Sequence, residues 1–414
     1  MKELYELYLQ HLTICTDSRQ TIPGCLFFCL KGEHFDGNQF AEQALQAGAA
    51  VVITERKDLS DPRYVVVDDS LASLQQLASY HRKQLNIPVI GITGTNGKTT
   101  TKELTAAVLS EKFKTAFTQG NLNNHIGVPL TILSIRHEHE IAIVEMGANH
   151  PGEIEFLCQI AQPDFGLITN IGKAHLEGFG TVEEIAHTKK ALYRSVMNAH
   201  GTLFVNASSA VLCEGLQYDK IQYYAESGEK AILTMSPYLE IMVGNIPVKT
   251  RLTGSYNVYN CLAAAAVGRF FGVADEQIAN ALNQYAPSNH RSQISIIGTN
   301  TVIADYYNAN PTSMEAALHN LDLLKAPRKV AILGDMLELG EVSAQEHTHI
   351  VEFCKKRSIS AYFVGENFHK LHPQSSFKDV DALNAFLLEH PITESLVLVK
   401  GSRGIHLEKL SLLA

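Results

Sequence analysis

The 414-residue chain has no apolar run near membrane-spanning length, no long basic stretch, no low-complexity tract and no internal repeat. The first absence predicts no membrane helix, since a span needs about 18–20 apolar residues. The second argues against broad electrostatic attachment to nucleic acid or an anionic membrane. Acidic residues outnumber basic ones, 43 to 34, for a net charge of −9. A local basic pocket for an anionic substrate stays open. Met1–Glu6 carries acid where a secretory leader would be positive and then apolar, so no leader is expected. The seven cysteines are odd in number and scattered. Cys25 and Cys29 have no second pair to complete a zinc set, so free buried thiols in a reducing cytoplasm are expected.

With 414 residues the chain exceeds one ordinary core, and its ordinary soluble composition predicts several domains. Residues 1–86 read as a small α/β unit, with strands at Leu26–Leu30, Ala50–Ile53 and Tyr64–Val67 and a helix from Ser70 to Leu85. Residues 87–286 alternate short, uniformly apolar strands (Val89–Thr93, Ile141–Glu145, Phe165–Thr169) with helices. That pattern predicts a parallel sheet covered on both faces. Residues 287–414 repeat it, with strands at Val302–Asp305, Val330–Leu333, Ala361–Val364 and Leu396–Val399. This third unit lacks a G-x-G-x-x-G turn, so it is Rossmann-like without an assigned dinucleotide. The fold class is therefore α/β in three domains.

Thr93-Gly94-Thr95-Asn96-Gly97-Lys98-Thr99-Thr100 joins a strand to a helix. Gly94 and Gly97 let backbone N–H groups turn toward phosphate oxygens, Lys98 can reach the β- and γ-phosphates, and the Thr99 hydroxyl suits magnesium. Ile92 stands where the strict phosphate-loop pattern has its first glycine. Glu145 ends an apolar strand, the position from which an acid holds magnesium in such enzymes. His175 lies beyond the next strand, at the edge where open α/β sheets place their sites; alone, such a histidine is as readily structural. Lys189 and Lys190 sit together on a helix, which by itself marks a solvated face. The polar stretches Asn121–Asn124, Asn149–His150, Asp305–Pro311 and Lys400–Arg403 fall in loops or at strand ends, where binding residues and ordinary surface loops both occur.

The phosphate loop resembles the signature of the Mur ligases and folylpolyglutamate synthases. Further stretches resemble the same family in its own order: Asp17-Ser18-Arg19, Gly120–Thr131, Glu145–Ile154, Asn170–Glu177, Tyr307–Ser313, Leu333–Gly340 and Lys400-Gly401-Ser402-Arg403. Within the family the likeness is to members that join D-alanyl-D-alanine to UDP-N-acetylmuramoyl-tripeptide with ATP. The resemblance implies a UDP-sugar domain, a central ATPase domain and a C-terminal domain that closes over ATP. It implies that Asp17, Ser18 and Arg19 meet the UDP-sugar, and that Gly94 to Thr100 hold the triphosphate. Asn257 and Asn260 fall on the adenine side, and Arg291 and Asp305 reach the triphosphate and ribose. Thr99, Glu145, His175 and a carbamylated Lys189 become ligands of two magnesium ions. Asn121, Asn123, Asn124, Asn308, Asn310, Lys400, Ser402 and Arg403 become substrate contacts. Lys98, Glu145, His175, Lys189 and Arg291 are the expected catalytic groups, in a cytoplasmic monomer with no nucleic-acid partner. Tyr256 departs from the family's usual histidine, and Pro287–Arg291 departs from its commoner form. The rival readings are a ligase that adds a single amino acid and a phosphate-loop switch with no ligase chemistry.

Overall fold

In the computed structural model, which describes every residue except Ser227, Ser236 and Ala414, three parallel-rich sheets follow one another along the chain. Residues 14–66 form a four-stranded parallel sheet in the order 14–15, 26–28, 51–54, 64–66. Residues 89–224 form a six-stranded sheet, parallel throughout, in the order 221–224, 202–206, 165–168, 89–93, 141–145, 115–117. The C-terminal sheet has the order 293–297, 300–305, 396–400, 329–334, 360–364, 376–377; its first strand is antiparallel and the rest are parallel. The predicted alternation is therefore present. Several elements of low signal went unread, among them the central-sheet strands Thr202–Asn206 and Ile221–Tyr224, the helix Asp275–Gln284, the edge strand Gln293–Ile297, a three-stranded antiparallel sheet over 232–249, the short strand Thr115–Phe117 and the helix Gly127–Ser134.

The central sheet is buried on both faces because its strands carry apolar side chains on both. All five residues of Val89–Thr93 and of Ile141–Glu145 are buried. Helices flank it where caps and periodicity agree. In Val182–Asn198, Thr181 Oγ accepts the Glu184 N–H at 3.2 Å, and Glu183 and Glu184 occupy the positive first turn.

The two seams between the sheets differ in chemistry. The first unit shares one continuous hydrophobic cluster with the central sheet: Leu4, Tyr8, Leu74 and Leu77 pack with Val128, Ile132 and Leu133. The C-terminal clusters contain only residues beyond 290. Its seam with the central unit is polar, made by Lys173 with Glu346 at 2.7 Å, His175 with Glu338, Asn320 Nδ2 donating to Thr253 Oγ at 3.0 Å, and Asn96 with Asn310. A polar seam of this kind permits relative domain motion, whereas a shared apolar core resists it.

Candidate active site

The strand Val89–Thr93 hands directly to the helix Lys98–Ser110 through Gly94–Gly97. Glycine is required at both ends of that turn. Gly94 has φ 145°, and a Cβ there would collide with the Thr169 side chain; Gly97 has φ 78°, and a Cβ would lie 2.7 Å from Asn260 Oδ1. The neighbouring strand end frames the loop. The Thr169 hydroxyl donates to Asn96 O at 2.6 Å, Asn170 Nδ2 donates to the same oxygen at 2.9 Å, and Asn96 N–H donates to Asn170 Oδ1 at 3.0 Å. The result is a rigid cup at a helix N-terminus, the arrangement that binds phosphate. Lys98 folds back over it, donating to Gly94 O at 2.7 Å and Thr95 O at 3.1 Å. Burial pushes its ammonium down to about 8, against the opposing pull of Glu145. Both effects favour an incoming polyanion, which would replace two carbonyl contacts with full charges.

Glu145 lies beside Ile92 in the adjacent strand. Its Oε1 accepts from Thr99 Oγ at 3.1 Å and Asn123 Nδ2 at 2.8 Å. Its Oε2 is buried with no hydrogen-bond partner. A wholly buried Lys102 stands 3.8 Å from that oxygen. One satisfied and one open carboxylate oxygen beside a threonine hydroxyl fits a hard cation such as magnesium. Among the described residues, no three His, Cys, Asp or Glu side chains gather to hold a metal. Phosphate oxygens and water would therefore have to complete the shell.

These groups open into one cavity of about 550 Å³. It is lined by Thr95 to Thr100, Asn121, Asn123, Asn124, Glu145, His175, Asn257 and Asn260 from the central unit, and by Arg291, Asp305, Asn308, Asn310 and Lys400 from the C-terminal unit. Asn257 and Asn260 are joined at 2.8 Å, and Asn260 Oδ1 accepts from Thr101 at 3.1 Å. Asn310 caps the helix Pro311–Leu323 and also donates to Asn96 Oδ1 at 2.8 Å, tying the phosphate loop to the facing domain. The Arg291 guanidinium stacks on the Tyr307 ring at 3.8 Å. Lys400 donates to Asp305 Oδ2 at 2.7 Å and to Asn308 O at 3.2 Å.

Other expected residues lie elsewhere. Lys189 is buried and outside the lining, while its neighbour Lys190 reaches Glu214 O at 3.4 Å near the surface, so the lysine pair is not one solvated face. Glu153 attracts the Lys189 charge without outweighing its burial. Burial first, then the Lys98 charge, hold its amine well below the ordinary lysine range. Ser402 is inside the C-terminal unit, accepting from Leu337 N–H at 3.0 Å and donating to Ala309 O at 3.3 Å. Arg403 is exposed, 5.9 Å from the Tyr307 ring. Asp17, Ser18 and Arg19 form a separate surface turn, where the Arg19 guanidinium holds the Asp17 carboxyl down at about 2. His175, by contrast, is on the cavity wall, at φ 50° with its Nδ1 on Glu338. Lys102, Tyr307 and Ser292 went unassigned. Lys102 had a signal, four residues after Lys98 on the same helix, and Tyr307 lay within the polar stretch Asp305–Pro311; Ser292 had none.

Sequence profiles match in three consecutive segments: "Mur ligase family, catalytic domain" at residues 12–94, "Mur ligase middle domain" at 92–268, and "Mur ligase, glutamate ligase domain" at 290–403. The UDP-N-acetylmuramoyl-tripeptide–D-alanyl-D-alanine ligase of Bacillus subtilis is 35% identical over 96% of this chain and 92% of its own length. The enzyme of that name from Escherichia coli is 34% identical over 96% and 92%. Among solved structures, MurF from Acinetobacter baumannii superposes with a TM-score of 0.85 at 34% identity, covering 96% of this chain and 91% of that one. MurF from Thermotoga maritima in complex with ADP gives 0.83 at 27% identity, covering 98% and 97%.

Proposed function

The chain belongs to the Mur ligase family, and from that premise we infer that it is an ATP-dependent ligase joining D-alanyl-D-alanine to UDP-N-acetylmuramoyl-tripeptide in peptidoglycan precursor synthesis. The observation that carries the reading is the cavity shared by the two facing units. It sets a phosphate cup and an open Glu145 oxygen opposite Arg291, Asn308, Asn310 and Lys400.

The reaction divides into two displacements. A carboxylate is a poor electrophile at neutral pH. The tripeptide carboxylate oxygen attacks the γ-phosphorus, the bond to the β-phosphate bridge breaks, and ADP leaves an acyl phosphate. The dipeptide amine then attacks that carbonyl carbon. The tetrahedral adduct collapses, the amine loses its proton, and inorganic phosphate departs. The protein's contribution is positioning and charge neutralisation. Lys98 and the N–H groups of Gly94–Thr100 hold the triphosphate, Arg291 meets it from the facing unit, Asn257 and Asn260 line the adenine side, and Asp305 the ribose. Asn121, Asn123, Asn124, Asn308, Asn310 and Lys400 surround the acyl donor and the dipeptide. Ser402 and Arg403 support that wall from behind and from the rim.

Bound magnesium would neutralise the transferring phosphoryl group. Thr99 would be a donor for one ion, and Glu145, His175 and a carbamate on Lys189 would be donors for a second. With Nδ1 of His175 facing Glu338, its Nε2 remains the donor, as when a carboxylate orients a ligating imidazole. The depressed amine of Lys189 suits carbamylation, because only the neutral amine attacks carbon dioxide.

By the same reading residues 1–86 carry the UDP-sugar site with Asp17, Ser18 and Arg19, residues 87–286 the ATPase site, and residues 287–414 the amine site. The enzyme works as a cytoplasmic monomer. Seven free thiols fit a reducing compartment, and light scattering of the purified chain checks the monomer. In a coupled assay, ADP release should require both UDP-N-acetylmuramoyl-tripeptide and D-alanyl-D-alanine. Equal release with the nucleotide substrate and a single amino acid would overturn the reading.

A further inference from the structure

The segment that delivers Arg291 to the cavity is strained and pinned from both sides. His290 and Ser292, the residues flanking Arg291, both adopt left-handed conformations, with φ 54° and 55°. That backbone is costly for any residue with a Cβ, and it persists only where surrounding contacts hold it. From the central unit, Glu103 on the helix that follows the phosphate loop accepts from Tyr285 Oη at 2.6 Å and from Asn289 Nδ2 at 3.2 Å. From the C-terminal unit, the Ser292 N–H donates to Asp305 Oδ1 at 3.0 Å, and the His290 ring stacks on Tyr306 with centroids 4.7 Å apart. One further bond closes the set. Tyr256, at the start of the central helix that carries Asn257 and Asn260, reaches across the seam to Ser292 Oγ at 2.7 Å.

We propose that Tyr256 is a positioning residue for the nucleotide, its hydroxyl latching Ser292 so that the strained segment presents Arg291 and Asp305 to the triphosphate and ribose. The inference rests on the ATP reading of the cavity given above. Three observations converge on it. The bond runs between the two units rather than within one, so it acts on their relative placement. Its partner is the residue next to Arg291, and that same residue's N–H donates to Asp305, which Lys400 holds from the other side at 2.7 Å. The chain also makes local room for the ring. Gly254 has φ 89°, and a Cβ there would run into the Tyr256 ring. A phenylalanine ring at position 256 would fill the same place and could not make the bond.

The test separates the hydroxyl from the ring. Tyr256→Phe, Ser292→Ala and the double variant are prepared in the full-length chain. ADP affinity is measured by calorimetry, with kcat, the KM of each substrate and Tm alongside. A single seam hydrogen bond is expected to weaken ADP binding and raise the ATP KM roughly twofold to tenfold in either single variant. The KM values of the other two substrates should stay unchanged. The double variant should be no weaker than the worse single, because both changes remove one bond. ADP affinity unchanged in Tyr256→Phe, even with a lowered Tm, would reduce the residue to packing and overturn the inference. So would effects that multiply in the double variant. A wild-type chain that binds no ADP would instead overturn the nucleotide reading beneath it, so the two failures are distinguishable.

Discussion

Lys102→Met tests whether a buried cation supplies the countercharge of the Glu145 carboxylate. Lys102 is 1% exposed, and its ammonium stands 3.8 Å from Glu145 Oε2, 3.8 Å from Glu103 Oε1 and 3.3 Å from Gly120 O. At that separation the gross attraction is about 4 kcal/mol at an effective dielectric of about 20. Methionine fills the volume but leaves Glu145 with Thr99 and Asn123 as its hydrogen-bond donors and without its buried ion-pair partner. Removing one member of a buried pair costs about 3–5 kcal/mol, whereas replacing both is far cheaper. At about 2–4 °C per kcal/mol for a unit of this size, the Tm of the nucleotide- and metal-free protein should fall by roughly 10 °C. Glu145→Gln added to Lys102→Met should recover much of that loss. Differential scanning calorimetry on the wild type and the two variants reads both effects. An unchanged Tm in Lys102→Met, or a double variant no more stable than the single, would refute the assignment of Lys102 as the countercharge.

Lys98→Ala should lower kcat by at least about 10²–10³-fold, the scale of losing one charged transition-state donor; near-normal ADP release would remove Lys98 from the site. Lys189→Arg cannot carry a carbamate and should be inactive while folding normally, and intact-protein mass spectrometry of active enzyme under carbon dioxide should show the adduct, an unmodified amine being the contrary result. His81 is buried beneath Tyr5 and Tyr8 and against Ile135 O, and burial, with the nearby Arg136 charge, holds it below the ordinary value of 6.5. The unfolded chain therefore binds the extra proton first as pH falls, so stability should drop as pH falls below about 6.5 and be level above it. Denaturant titrations across pH should show this slope flattened in His81→Gln.

The phosphate loop was legible in the sequence because each of its residues answers a local demand. An all-apolar strand needs burial on both faces, Gly94 and Gly97 supply the backbone angles, and Lys98 opens the helix. Glu145 was legible for the same reason, as an acid closing a buried strand. Lys189 was harder. Its pairing with Lys190 suggests a solvated face, yet it falls in phase with Ile185, Leu192 and Val196, the buried stripe of its helix. Asn124 and Ser402 show the opposite trap. Their polar groups satisfy backbone partners, Gly127 N–H at 2.9 Å and Leu337 N–H at 3.0 Å, so a loop rich in hydrogen-bonding side chains reads like a binding site while part of it builds the turn. The Tyr256–Ser292 and His175–Glu338 contacts join residues 36 and 163 positions apart. No local pattern specifies such pairs; they follow from how two separately folded sheets meet.

The central claim is that ATP activates the tripeptide carboxylate before the amine attacks. A heavy-oxygen label placed on that carboxylate tests it directly, with phosphate and product read by mass spectrometry. The account predicts that each amide bond formed transfers one labelled oxygen to inorganic phosphate, and that ADP appears only when the tripeptide substrate is present. Phosphate that emerges unlabelled while ligated product accumulates would contradict it.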